Sequence, residues 1–570
     1  MTTRRDLLQL GAATAALFGA GTLGAGLGSG GFARALAQQR PTQDELTRFT
    51  PLGNVTLVHV TDIHAQLVPV YFREPTVNLG VGEAKGVPPH VAGREYLEAF
   101  GIPPNSAMAY ALTDQDFDAL AKAYGRVGGL DSVATVVEAI RAERDKNMLL
   151  LDGGDTFQNS WTSLATKGQD MIDCMALLKP DAMTAHWEFT LGEERVREIV
   201  EKLNYPFLCQ NVRESAFQDE VFQGAATFER GGVKIAVIGQ ALPYTPIANP
   251  RWMIPEWSFG IREKELQQKV EEVRADGADL VVLLSHNGFD VDRKLASRVT
   301  GIDVILTGHT HDALPVPVKV GKTLLIASGS HGKFASRLDL DVRDGEVKDY
   351  RYKLIPIISD VITPHPQMAK AIAAHRAPHE KMLSEVVGRT ETTLYRRGNF
   401  NGTLDDVICD ALLAQRDAEI ALSPGFRWGP TLLAGQDITR EDVYNATAMT
   451  YPAAYRTTMT GARLKDVLED VADNIFNPDP YLQQGGDMVR LGGLSYTIDI
   501  GKPIGARIAD VTLVRTGRSL EADKEYVVAG WASVNEGTEG PPIWDVVFDH
   551  LAQTKTVAPR GAANVKIVGA

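Results

Sequence analysis

The sequence is poor in cysteine. Among 570 residues there are three, Cys174, Cys209 and Cys409, far apart and in no CxxC or Cys/His cluster. That excludes a disulfide framework and a thiolate metal site, and leaves them as small, buried, inert side chains. Positive charge is also short: 58 lysines and arginines stand against 72 acidic residues, a formal net charge of −14. A long polyanion would be repelled by the average surface, which argues against nucleic acid as a partner. The one extended weakly apolar run, near the N-terminus, is interrupted by glycines and small residues and does not read as a stable membrane anchor. No internal repeat is found.

What is present begins at that N-terminus. Arg4 and Arg5 precede an Ala/Gly/Leu run that ends at Ala35-Leu36-Ala37, a small-residue cleavage pattern. Residues 1–37 resemble a twin-arginine export signal and are left out of the fold; the expected location is the periplasm. That route exports folded proteins, which suits a chain loaded with a metal beforehand. The remaining length, with 44% hydrophobic residues, supports two or more domains with sizeable cores.

From Asn54 onward, short apolar runs alternate with helical stretches. "VTLVHVTD", "NMLLLDGGD", "YPFLCQNV", "VKIAVIGQ", "DLVVLLSHNG", "DVILTGHTH" and "TLLIASGS" read as buried strands of an α/β fold. Residues 70–130 form an insert rich in Gly, Pro and polar residues, read as a loop over the site. The first pattern spans 50–360, a connector helix is expected over 361–384, and a second domain over 385–570. In the second domain "LDDVICDALLAQRD" reads as a helix, and "YNATAMTY", "LSYTIDI" and "EYVVAGWA" as strands.

Chemistry gathers at the ends of the first-domain strands. Asp62 and His64, Asp155, His286, and His309 with His311 each follow a β-type run, where α/β folds place ligand sites. Each motif alone is weak, since Asp and His are common turn formers; four in order are specific. Imidazole and carboxylate donors suit Mn, Zn or Fe, with Mn²⁺ the first choice. Two ions need a bridge, and Asp155 is the natural one; they would then lie roughly 3.5–4 Å apart.

This ordered set resembles the calcineurin-like metallophosphoesterases, and the second domain resembles that of the secreted 5′-nucleotidases. The resemblance implies an α/β protein: a four-layer α/β/β/α metallophosphoesterase domain, a connector helix and a smaller C-terminal 5′-nucleotidase-like domain. It further implies that Asp62, His64, Asp155 and His311 hold one metal, while Asp155, His286 and His309 share the other with a ligand from the family's "GNHEFD" motif. Here that segment reads "AHWEFT", Ala185 to Thr190. His186 falls at the family's Asn ligand, Trp187 at its catalytic His, and Thr190 at the Asp that orients this His. A metal-binding nitrogen is retained while the proton donor is lost, so the leaving group must need little help. Sulfur acids ionise far more readily than alcohols. The segment resembles that of the SoxB thiosulfohydrolase family.

That resemblance implies a monomeric enzyme with two Mn²⁺ ions, acting on a cysteine S-thiosulfonate carried by a SoxYZ partner protein. Asp155, His186 and Arg427, the last in "SPGFRWG", are its expected catalytic residues. Arg427 reads as the anion clamp, with Arg389 and Arg397 more simply surface or structural. Secreted 5′-nucleotidases sandwich the base between two aromatic rings. Met488 stands where the first should be, and "NEGTEGPPIWDVV" offers no second. An arginine without the base clamp fits a sulfonate better than a nucleotide. His331 and Lys333 read as a structural turn. Two alternatives compete: a periplasmic 5′-nucleotidase or cyclic-nucleotide phosphodiesterase, and a metal-containing anion-binding protein without turnover.

Overall fold

The computed structural model describes residues 40–559, 561 and 564–569. The expected export signal over residues 1–37 lies outside them. Among the described residues the chain divides into two compact units, one within 40–70, 94–158 and 162–377, the other within 71–93, 159–161 and 378–569.

In the first unit two sheets share one apolar interior. One has five strands in the order Glu346–Pro356, Phe334–Arg343, Val55–Val60, Met148–Asp152, Ala182–Met183. The other has six, in the order Val318–Val320, Thr323–Ala327, Val304–Thr307, Leu280–Ser285, Val233–Gln240, Ala225–Arg230. The strands Val55–Val60, Met148–Asp152 and Leu280–Ser285 are buried at every residue, which is why they read as unbroken apolar runs. Leu57, Leu149, Val237, Val282 and Leu306 meet in a single core between the sheets. Each such side chain contributes about 1.5–3 kcal/mol by leaving water. Helix Leu130–Arg144 packs with the first sheet, helices Gln169–Leu178 and Pro366–Arg376 pack with that helix and with one another, and Glu263–Ala275 and Phe289–Ala296 pack with the second sheet. The result is an α/β/β/α sandwich. Parallel pairing of Val55–Val60 with Met148–Asp152, and of Val233–Gln240, Leu280–Ser285 and Val304–Thr307, brings their carboxyl ends to common edges. The polar loops follow there.

The second unit has its own core, in which Ile420, Leu468, Phe476, Met488, Tyr496 and Val528 are buried. Its four-stranded sheet runs Ala454–Thr460, Glu525–Trp531, Ile420–Gly425, Asp487–Gly492. Helix Thr403–Gln415 packs on it.

Four expectations differ. The 70–130 segment is not a loop: it holds helices Gly93–Phe100, Ala107–Leu112 and Phe117–Tyr124, with Tyr96, Leu97, Phe100, Tyr110, Phe117, Leu120 and Tyr124 buried. Helical apolar spacing outweighs the Gly and Pro content, and part of the segment, 71–93, belongs to the second unit. The connector is two helices, Pro366–Arg376 and Glu380–Leu383, with the division between units at 377/378. "YPFLCQNV" joins no sheet as a named strand and makes isolated bridges at Phe207 and Leu208. "YNATAMTY" enters a helix, Arg440–Thr447, because Thr439 and Asp442 form a capping box ahead of it. Among the described residues no helix is long and apolar enough to cross a membrane. The three cysteines are buried and free, and burial raises all three thiols, Cys174 to about 12.

Candidate metal centre

The loops that leave the strand ends converge. Asp62, His64, Asp155 and His311 bring one donor atom each within 4.8 Å of one another, and so do Asp155, His186, His286 and His309. Asp155 belongs to both sets. His286 Nε2 lies 3.1 Å from Asp155 Oδ2, and His186 Nδ1 lies 3.2 Å from Asp155 Oδ1. On the other side His311 Nε2 is 3.3 Å from Asp62 Oδ1 and His64 Nε2 is 3.9 Å from Asp155 Oδ2. All of these side chains are buried except that of His309, which is half-buried.

The backbone is bent to achieve this. Asp62, His64, Asp155, His309 and His311 all have positive φ, between 51° and 76°. Such left-handed conformations are uncommon outside glycine and cluster at sites whose surroundings hold them in place. Here the hold is visible. His64 N donates to Asp155 O at 2.7 Å, Asp62 N to Gly154 O at 2.8 Å, and His309 N to Asp62 Oδ1 at 3.1 Å. Gly308 lets the chain pass close: a Cβ there would sit 2.5 Å from Thr61 Oγ1 and 3.0 Å from Asp62 Oδ2.

Supporting contacts aim the ligands. His286 Nδ1 donates to Gly153 O at 2.6 Å, which leaves Nε2 facing the carboxylates. Thr61 Oγ1 donates to Asp62 Oδ2 at 2.5 Å. The buried Glu188 carboxylate accepts from the backbone N–H groups of His186, Thr156 and Phe157, tying the "AHWEFT" segment to the Asp155 loop. Trp187 N donates to Asp155 Oδ1 at 2.7 Å, a further tie between the two segments.

The donor set fits two divalent cations. His64 Nε2 and His311 Nε2 face each other at 2.9 Å in a buried space. Burial opposes protonation of His286, yet the Asp155 and Asp62 carboxylates push it up to about 10. Asp155, despite its burial, is held well below the usual carboxylate range by His186 and His286. Those carboxylates call for positive charge, and nitrogen and oxygen donors of this kind suit divalent transition ions. His59, on the strand that leads into Asp62 and His64, stays outside the cluster: its Nδ1 pairs with Ser328 Oγ at 2.7 Å, and burial lowers it to about 3.

Two residues near the cluster carry little or no signal in the sequence. Asn249, buried, places Oδ1 3.0 Å from His186 Nε2; "IANPRW" has no recognisable pattern. His331, read as part of a turn, packs its ring 5.3 Å from that of His64 and 5.7 Å from that of His311, again with positive φ. Its neighbour Lys333 is buried.

Arg427 lies in the second unit, within a buried array of charges. Its Nε donates to Asp487 Oδ1 at 3.3 Å and its Nη2 to Gly486 O at 2.6 Å. Asp487 Oδ2 accepts from Arg490 at 3.0 Å, and Asp405 then links Arg490 to Arg396, at 3.3 and 2.9 Å. Arg397 is buried beside Glu74 at 3.7 Å, whereas Arg389 is an exposed partner of Asp437. Met488 is wholly buried.

Fold and donor set together define a two-domain, metal-dependent hydrolase of the calcineurin-like phosphoesterase class. Residues 55–313 match the calcineurin-like phosphoesterase family and residues 386–547 the 5′-nucleotidase C-terminal domain. The sulfate thiohydrolase SoxB of Thermus thermophilus, solved in complex with glycerol, superposes with a TM-score of 0.88. It is 35% identical, over 92% of this chain and 98% of that one. The chain belongs to the SoxB family within this class. A 5′-nucleotidase precursor, also from Thermus thermophilus, shares the fold, with a TM-score of 0.71 and 22% identity over 91% of this chain and all of that one. Among curated relatives, UshA of Yersinia enterocolitica is 25% identical over 74% of this chain and 84% of its own length. The 5′-nucleotidase of Diplobatis ommata is 26% identical over 49% of this chain, which spans only 53% of that protein.

Proposed function

We propose that this chain hydrolyses the terminal sulfonate of a cysteine S-thiosulfonate borne by a carrier protein of the SoxYZ type. The reaction forms one S–O bond and breaks the S–S bond, releasing sulfate and two protons and leaving a persulfide anion on the carrier. The observation that carries the reading is Trp187. Its backbone N–H donates to Asp155 Oδ1, and in the "AHWEFT" segment it stands at the motif position where the wider class has a proton-donating histidine. An indole cannot protonate an alkoxide; a persulfide leaves as an anion without that help. The high similarity to a protein named a sulfate thiohydrolase supports the same reading.

Two Mn²⁺ ions are the proposed cofactors, and when bound they supply Lewis acidity and a water activated at neutral pH. Asp62, His64, His186, His286, His309 and His311 would hold the ions, with Asp155 common to both donor sets. His186 supplies an imidazole nitrogen in place of an amide oxygen. Arg427, kept in one orientation by Asp487 and Gly486, supplies a guanidinium for the sulfonate oxygens. Buried Met488 offers no ring for a nucleobase. The twin-arginine pattern at Arg4 and Arg5 suits export to the periplasm, where the protein would act as a monomer.

The test gives the Mn-loaded protein two substrates in parallel, 5′-AMP and a carrier cysteine loaded with thiosulfonate, and measures phosphate and sulfate. Sulfate alone, abolished by chelation, is the expected result. Phosphate alone would establish a nucleotidase with another proton donor, and turnover of neither would favour an anion-binding protein.

A further inference from the structure

His186 differs from three other histidines of the cluster in a way the geometry makes specific. It meets Asp155 through Nδ1, at 3.2 and 3.3 Å from the two carboxylate oxygens, whereas His64, His286 and His311 turn Nε2 toward the carboxylates. A neutral imidazole that gives its Nδ1 lone pair to a cation carries its proton on Nε2. In a buried place that N–H needs an acceptor. Asn249 Oδ1 stands there, 3.0 Å away.

We propose that Asn249 is a positioning residue for the second metal, and that it fixes His186 in the Nε2–H tautomer so that Nδ1 is the ligand atom. An asparagine ligand at position 186 would have no ring N–H to satisfy; a histidine does, so the replacement brings a requirement for an acceptor. Asn249 is built to meet it. It closes the short helix Thr245–Ala248, its N–H bonded to Thr245 O at 3.0 Å. Thr245 Oγ1 donates to Leu242 O at 2.8 Å, and Leu242 N to Ala185 O at 3.3 Å. The acceptor and the ligand it serves are thus fastened to one another through a short chain of hydrogen bonds. The inference rests on the metal centre and is independent of the substrate.

The test strips the full-length protein of metal and titrates it with MnCl₂, comparing wild type with Asn249→Leu and Asn249→Asp, each checked for a native melting curve. Removing such an outer partner typically weakens metal binding about 10–100-fold. Asn249→Leu is expected to lose affinity for one ion by that factor and to keep the other. Asn249→Asp, which retains an acceptor, is expected to bind both ions within a few-fold of wild type. Unchanged binding in Asn249→Leu, equal loss of both ions, or equal weakening in Asn249→Asp would overturn the proposal. Independently of either variant, nitrogen NMR of the zinc-loaded wild type should show His186 metallated at Nδ1 and protonated at Nε2. The reverse pattern would also overturn it. Neither readout depends on turnover, so they stand whichever product the substrate test yields.

Discussion

Two buried groups of charges, one in each unit, obey opposite rules. In the N-terminal unit, His64 and His311 point nitrogens at each other 2.9 Å apart, and Asp62 and Asp155 add carboxylates to the same space. In the C-terminal unit, Arg427, Asp487, Arg490, Asp405 and Arg396 alternate in sign, each acid lying between two arginines. The first group converges nitrogen and oxygen donors on points that a cation would fill; in the second, two carboxylates are shared among three arginines, so opposite charges adjoin throughout. A buried charge cluster is therefore read as a site or as scaffold by whether metal-ligating donors converge on one point or opposite charges alternate along a chain.

The sharpest way to break that contrast is at Asp155. Asp155→Ala removes the one carboxylate common to both donor sets. We expect both ions and all turnover to be lost, with the C-terminal unit unaffected. Metal analysis that still finds two ions per chain would end its assignment as the bridge.

Asp405→Ala applies the same operation to the alternating cluster. It leaves Arg396 and Arg490, both almost wholly buried, without a shared counter-ion. Stripping one partner from a buried pair costs about 3–5 kcal/mol. The expected result is a large fall in melting temperature with metal stoichiometry unchanged. A variant as stable as wild type would mean that the alternation is incidental.

Arg427 sits at the end of that array, with one edge occupied by Asp487 and Gly486. On the proposed function, Arg427→Ala should keep two metals and raise KM for the thiosulfonate about 10–100-fold, the worth of a charge-assisted hydrogen bond. An unchanged KM would make Arg427 one more member of the scaffold.

The same contrast explains what is legible in the sequence. Donor residues of the cluster such as Asp62, His286 and His309 follow fully buried strands within two positions, so strand recognition locates them. Asp405 and Arg490 give no signal, because a salt bridge between residues 85 positions apart leaves no local pattern. Asn249 is hidden for a similar reason: its partner lies 63 residues away and its own helix has four residues. The helices over 93–124 are masked by a Gly- and Pro-rich composition, although Tyr96, Leu97 and Phe100 already carry the helical spacing. "YNATAMTY" looks like a strand because the capping box that decides it, Thr439 with Asp442, lies just outside the apolar run.

Arg389 supplies the weakest and most discriminating case. It shares a residue type and a domain with Arg427 and Arg396, and by sequence it is a lesser candidate for the same task. Its partner Asp437 lies 3.0 Å away, but both side chains are more than half exposed, at 56% and 54%. Water and salt screen such a pair, and it completes no buried array. Arg389→Ala should therefore change stability by no more than ~0.5 kcal/mol and leave both metal content and KM as they were. Should KM rise while melting temperature stays fixed, a solvent-exposed arginine would be taking part in substrate capture, and burial would no longer separate the working charges of this unit from its surface.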